Sequence, residues 1–205
     1  MTEDILTPPS ETLPSDISYE QFLNWEGPSE HVEWVAGTVV SMSPVTAEHQ
    51  LVALFFIRTL SEFVERKRLG KVFHEPFQMK TGPELPSRAP DVLVLLNENL
   101  GRQKRLHVEG PADLVVEVIS PGSRGVDRGE KYYEYEEGGV PEYWLIDPER
   151  KQVELYQLGA DRIYCQAAAD SGGIYRSNIL QGFWLRANWL WERPTLMEVV
   201  EAWKL

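Results

Sequence analysis

A chain of 205 residues with 42% apolar residues and seven tryptophans suits one domain with its own core better than two small ones. Its formal net charge of −12 argues mildly against tight non-specific DNA binding by a monomer, and its single cysteine, Cys165, excludes an intrachain disulfide and a cysteine-based zinc site. No run approaches the roughly 18 apolar residues of a membrane span, the acidic, proline-rich start does not read as a signal peptide, and the lone thiol fits a reducing cytoplasm.

Some of the acidic charge lies outside the expected core, at Glu3, Asp4, Glu11 and Asp16 and again at Glu192, Glu198 and Glu201. Local basic clusters remain at Arg58, Arg66, Lys67, Arg68 and Lys71 and at Arg102, Lys104 and Arg105.

Residues 1–17, punctuated by Pro8, Pro9 and Pro14, read as a flexible polar tail, leaving 18–205 as a single domain. Ser18 and Gln21 form a capping-box pattern that opens a short helix to about Trp25, which Glu26-Gly27-Pro28 ends. Val32 to Met42 reads as a hairpin turning at Ala36-Gly37. From Thr46 to Arg68, apolar residues at 51, 54, 55, 57, 60, 63 and 64 predict a long amphipathic helix stopped by Gly70. Val72 to Lys80 reads as one strand and Thr81 to Ala89 as a loop.

Pro90-Asp91 opens an apolar strand, Val92 to Leu96, and a polar connection follows from Asn97 to Gly110. Leu114 to Ile119 is a second apolar, β-branched run with Glu117 in its middle. Such a run is covered on both faces, so an ionised Glu117 needs a positive partner. After the loop Pro121 to Gly125, Asp127 and Glu130 suggest a second capping box, opening a helix to about Glu137 that Gly138-Gly139 terminate. Glu142 to Ile146 and Val153 to Leu158 predict a hairpin around Asp147 to Arg150. Short strands at Ile163–Ala167 and Ile174–Leu180, an aromatic stretch Gly182–Trp191 and a final helix Thr195–Trp203, with Thr195 and Glu198 as cap partners, complete the chain. Strands interleaved with two substantial helices predict an α/β fold with a mixed sheet.

Asp91 and Glu117, with a backbone carbonyl at Val118, form a donor set for Mg2+ or Mn2+, since hard cations take carboxylate oxygens. The plainer reading makes Asp91 a strand cap and Glu117 an edge residue paired with Arg or Lys. His31, His49, His74 and His107 lack zinc-site spacing, and no serine elbow, phosphate loop or dinucleotide fingerprint is present. Cys165 reads as packing within a strand.

Pro90-Asp91, Glu117 to Pro121, Asp127, Lys131 and the run Gly139-Val140-Pro141-Glu142-Tyr143-Trp144-Leu145-Ile146-Asp147-Pro148 resemble the Uma-two family of the PD-(D/E)XK nuclease superfamily, from about Ser18 to Leu190. The resemblance implies a restriction-endonuclease-like core, a central mixed sheet flanked by helices, and Mg2+-dependent hydrolysis of DNA. Many relatives carry Lys two residues after the Glu, where this chain has Ile119; the resemblance makes Lys131 the migrated lysine, orienting water or offsetting charge. Its plainer role is a helix-surface pair with Asp127.

Glu33, before the turn glycine, resembles an upstream acidic residue of these nucleases, with nearby Glu30 as competitor. His49 falls where the family places a histidine, and could touch phosphate or accept a proton, or serve as a helix-terminal histidine with a structural hydrogen bond. Tyr135, one turn beyond Lys131, supports the lysine or the substrate, or is simply core. Arg124 and Arg128 flank the site in sequence and could contact phosphate, or could be solvated; the Arg102–Arg105 loop could close over nucleic acid. A homodimer matches a duplex with twofold symmetry. The competing functions are a silent nuclease fold that binds nucleic acid or protein, and a metal-dependent phosphodiesterase acting on a non-DNA substrate.

Overall fold

A computed structural model describes residues 13–27 and 31–205. Most of the expected tail, Pro28 and Glu30 lie outside the described residues. In chain order the elements are α1 (Tyr19–Leu23), β1 (Val32–Val35), β2 (Thr38–Ser41), α2 (Ala47–Lys67), β3 (Gly70–His74), β4 (Gln78–Lys80), β5 (Ser87–Arg88) and β6 (Val92–Leu96). They continue as β7 (His107–Glu109), β8 (Leu114–Val118), α3 (Lys131–Gly138), β9 (Glu142–Asp147), β10 (Gln152–Leu158), β11 (Tyr164–Ala167), β12 (Ile174–Arg176), β13 (Trp184–Arg186), α4 (Trp189–Glu192) and α5 (Leu196–Trp203). A wide, π-helical turn, Val126–Glu130, leads into α3. No helix among the described residues is long and apolar enough to cross a membrane.

The central sheet has the order β11-β10-β9-β8-β6-β3, parallel only between β8 and β9, so it is mixed as the α/β reading expects. Its middle strands are apolar on both faces. Val92, Val94, Leu114, Val116, Val118, Trp144 and Ile146 pack against α2, Phe183 and α5. The alternate residues Leu93, Leu95, Val115, Ile119, Tyr143 and Leu145 pack toward Tyr135 of α3 and toward Met79 and Val108. Those last two belong to a smaller sheet, β2-β1-β5-β4-β7, whose hairpin β1–β2 shares a third cluster with Phe22 of α1.

Caps are where the sequence reading meets the structure most directly. Ser18 and Gln21 close a reciprocal box at α1, as do Thr195 and Glu198 at α5, and Thr46 accepts from the His49 N–H at the head of α2. Elsewhere the fold departs from the reading. Arg68, left-handed at φ +54°, ends α2, while Gly70 begins β3; a Cβ there would meet the Leu95 carbonyl oxygen at 1.9 Å. The buried stripe of α2 runs through Val52, Phe56, Leu60, Phe63 and Val64, and Leu51 and Leu54 face outward.

The single strand expected from Val72 to Lys80 is two, because the chain leaves the central sheet at Pro76 and joins the smaller one. The supposed loop Thr81–Ala89 contains β5, and the polar connection Asn97–Gly110 contains β7. Asp127 caps nothing: it lies buried inside the π-helical turn, and the α3 N-terminus has no side-chain cap. Cys165 is in a strand but exposed.

Candidate active site

Asp91 stands immediately before β6, whose register against β8 runs Val92↔Val116 and Leu93↔Val115. One step further places Asp91 across from Glu117, and strand alternation turns Glu117 toward the α3 face. The Asp91 carboxylate accepts the Val118 N–H at 2.6 Å. The Val118 backbone therefore touches the site first as a donor. β8 lies between β6 and β9, so Glu117 is a central-strand residue and not the edge residue of the plainer reading.

Past β8 the chain must reverse sharply to bring a helix over these carboxylates. Ser120 and Ser123 close the turn by exchanging backbone N–H to hydroxyl bonds of 2.9 and 3.2 Å. The π-helical turn follows, then α3, which Gly139 ends at φ +82°. Residues 127, 131 and 135 are four apart, so they share the face turned toward Glu117. Lys131 Nζ lies 3.0 Å from Glu117 Oε1, 3.2 Å from Asp127 Oδ1 and 3.7 Å from Glu33 Oε1. Its pairing with Asp127 is thus present but buried, not the solvated helix pair of the plainer reading. Although the Lys131–Asp127 distance allows strong attraction, Asp127 Oδ1 has no hydrogen-bond partner among the described residues. The Tyr135 hydroxyl donates to Glu117 Oε1 at 2.7 Å.

Glu33 reaches in from β1. It accepts from Arg88 Nη1 at 2.8 Å and from the Ala89 N–H at 3.2 Å. Arg88 also forms a two-point bond to Glu134, both arms at 2.7 Å, and approaches Glu130 at 3.2 Å. His49, from the helix on the far side of the sheet, places Nε2 3.3 Å from Asp91 Oδ2, while its buried Nδ1 has no hydrogen-bond partner among the described residues. These groups line a cleft of about 690 Å3 whose other wall is the β1–β2 hairpin and the segment Met42–Val45.

Three carboxylates around one ammonium leave negative charge uncompensated. Burial, the largest influence, together with Asp127 and Asp91 pushes the Glu117 carboxyl up to about 8 against the opposing pull of Lys131 and the Tyr135 hydroxyl. Burial opposes charge on Lys131 too, but Glu117, Glu33, Asp127 and Asp91 overcome it, so the ammonium keeps its proton far above the ordinary lysine range. Glu33 is likewise penalised by burial, yet Lys131 and Arg88 outweigh this and hold it below the usual carboxylate range. Burial lowers His49, and its contact with Asp91 reverses that into a net rise.

Among the described residues, no three His, Cys, Asp or Glu side chains converge into a closed metal cage. Two adjacent carboxylates do suit Mg2+ or Mn2+, which commonly rest on one or two acidic side chains and complete their shell with water and substrate oxygens. The negative charge left uncompensated around Lys131 is the setting such a cation would need.

The structure therefore brings Asp91, Glu117, Lys131, Glu33, His49 and Tyr135 together. Arg124 and Arg128 do not line the cleft. Arg124 pairs with Glu149 at 3.0 Å and approaches Asp147, while Arg128 pairs with Glu154 at 2.6 Å and Asp147 at 3.3 Å. The Arg102–Arg105 loop is also absent from the cleft wall, with Arg102 donating to the Pro111 carbonyl and Lys104 paired to Glu109. Sequence reasoning missed Arg88 entirely. Its one signal was a cation three residues before Asp91 in a stretch whose prolines disguised a strand.

The model of a family described as "Putative restriction endonuclease", Uma2, matches residues 19–188. A solved structure from Anabaena variabilis ATCC 29413, described as a "putative nuclease belonging to DUF820", shares the fold with a TM-score of 0.70 at 17% identity. The match covers 86% of this chain and 98% of that one. No curated protein matches the chain.

Proposed function

The chain belongs to the Uma2 family, and from that membership we propose that its cleft hydrolyses phosphodiester bonds of DNA with Mg2+ or Mn2+ bound at Asp91 and Glu117. One observation supports this above all: Asp91 and Glu117 meet across adjacent strands, with Lys131 Nζ 3.0 Å from Glu117. When bound, the cation supplies a Lewis acid that acidifies a coordinated water and offsets charge on the phosphoryl oxygens.

The chain's own groups have separable tasks. Asp91 is fixed by the Val118 N–H and His49, and Glu117 by Tyr135 and Lys131. Lys131 holds its proton too firmly to act as a base, so it orients water and stabilises charge developing on the phosphoryl group. Arg88 anchors Glu33, which in turn helps keep Lys131 charged. A bond forms from water oxygen to phosphorus as the ester P–O bond breaks. The water gives up a proton, and the leaving alkoxide takes one.

A second reading keeps the chemistry and changes the substrate. Arg88 and Lys131, the arginine and lysine that line the cleft among the described residues, are buried and already engaged by carboxylates, which favours a small phosphodiester over a long polyanion at this point.

Calorimetric titration with Mg2+ and Mn2+, on wild type and Asp91→Ala, paired with plasmid nicking, tests the proposal. Binding and nicking that both disappear in the variant are expected. Nicking that survives in Asp91→Ala overturns the assignment, and metal binding without nicking of any DNA favours the second reading.

A further inference from the structure

We propose that a shallow groove beside the cleft holds the phosphate backbone of the nucleic-acid strand whose scissile bond lies over Asp91 and Glu117; this rests on the nuclease reading above. The groove, about 570 Å3, is lined by Arg128, Arg150, Lys151, Gln152, Gln166 and Tyr175. Arg150 and Lys151 sit exposed on the turn between β9 and β10, and neither forms an ion pair with a described residue. Lys151 stands within electrostatic reach of Glu48, which is already bound to Arg193 at 2.8 Å. Among the described residues, Glu154 is the one acidic group lining the groove, and Arg128 matches it at 2.6 Å.

In a protein with 32 acidic and 20 basic residues, two unspent cations beside a third at one concavity make a local exception to the overall sign. A polyanion is the partner that exception fits. The amides of Gln152 and Gln166 add hydrogen-bond donors, which phosphate and sugar oxygens accept.

Its position relative to the cleft is the second support. The turn Val126–Glu130 is the partition between them, presenting Val126, Asp127 and Glu130 to the cleft and Arg128 to the groove. Next to it, Ser123 lines the cleft while Arg124 reaches Glu149, the residue before Arg150. A strand leaving the cleft over this partition meets Arg150 and Lys151. Among the described residues, the arginine and the lysine that line the cleft are both engaged by carboxylates, so the charge needed to hold a polymer is supplied outside it.

The test compares wild type with Arg150→Gln/Lys151→Asn. Asparagine tolerates the left-handed backbone of Lys151, at φ +51°. Binding of a labelled DNA duplex is measured in EDTA across a salt series, so that cleavage plays no part. Hydrolysis of bis(p-nitrophenyl) phosphate with Mg2+ or Mn2+ reports the cleft separately, because that diester has no backbone to reach the groove. The expected result is on the order of tenfold weaker DNA binding at low salt, a salt slope shallower by about two, and an unchanged rate on the small diester. Equal slopes and affinities in the two proteins overturn the groove, as does a wild type that hydrolyses the small diester yet binds no DNA. Inorganic phosphate displacing DNA as effectively as unlabelled duplex overturns it as well, since a lone anion site would then suffice. A wild type that binds DNA with the expected slope change but hydrolyses neither substrate fails the catalytic reading instead.

Discussion

On one side of the turn Val126–Glu130, Lys131 sits among Glu33, Glu117 and Asp127; on the other, Asp147 sits between Arg124 and Arg128. Both clusters bury charge, but their stoichiometry is opposite. Asp147 has two guanidinium groups within 3.4 Å and also accepts the Arg150 N–H. Its surplus positive charge is spread onto Glu149 and Glu154 at the solvent edge, so the cluster closes on itself. The Lys131 cluster has too few cations, lies deeper, and opens into a cleft. A paired cluster holds a fold together; a short-changed one calls for something from outside.

That contrast is sharpest at Glu117. Glu117→Gln keeps the volume and an acceptor for Tyr135 but removes a carboxylate from a crowded set. If the proposed cation rests on Asp91 and Glu117, metal-dependent hydrolysis is expected to fall by about 10^3-fold or more, since that cation would lose one of two protein ligands. Thermal unfolding in EDTA should show no loss of stability, because repulsion with Asp127 and Asp91 goes too. A strongly destabilised variant would mean that Glu117 is a structural residue after all.

Removing the single ammonium should act in the opposite direction. Lys131→Met leaves Glu33, Glu117 and Asp127 without their shared counter-charge, a loss of about 3–5 kcal/mol for a buried pair broken from one side. Denaturant unfolding near neutral pH measures it, and added Mg2+ should restore part of the stability by binding the folded state alone. A cost under about 0.5 kcal/mol would return Lys131 to the role of a surface helix pair.

Across the partition, Asp147→Asn weakens the closed cluster. A cost of about 1–3 kcal/mol is expected, with hydrolysis per folded molecule unchanged, as thermal unfolding and active-site-normalised rates would report. A loss of rate exceeding the loss of folded protein would mean that the two clusters communicate through the turn.

The residues legible in advance were those whose local setting contradicted their chemistry. Glu117 in an apolar run and Asp91 at the head of another could be picked out because burial makes a carboxylate expensive. The two reciprocal caps were legible because capping is settled within four residues. Asp127 was misread for the same reason: its spacing to Glu130 imitates a cap, but α3 begins only at Lys131 and Asp127 lies inside the π-helical turn before it. Arg88 was hidden because its partners, Glu33, Glu130 and Glu134, lie more than 40 positions away in either direction. The break at Pro76 was illegible because either strand alone satisfies the local pattern, and only the two sheets decide between them.

The smallest expected effect probes how finely the open cluster is tuned. Tyr135 donates its hydroxyl to Glu117, and that bond favours the ionised carboxylate against burial. With its pKa already raised, Glu117 binds more protons in the folded state than in the unfolded one. Stability without metal therefore falls as pH rises from the ordinary carboxylate range toward about 8, while metal affinity rises over the same interval as the competing proton leaves. Tyr135→Phe deletes the donor and keeps the ring against Tyr143. The carboxyl should then titrate higher still, moving the rising limb of the metal-affinity profile toward alkaline pH. The loss should be several-fold near neutrality, about 1 kcal/mol, and should vanish once pH exceeds the new value. Calorimetric titrations at a series of pH values separate this from simple damage to the fold, which would lower affinity equally at every pH.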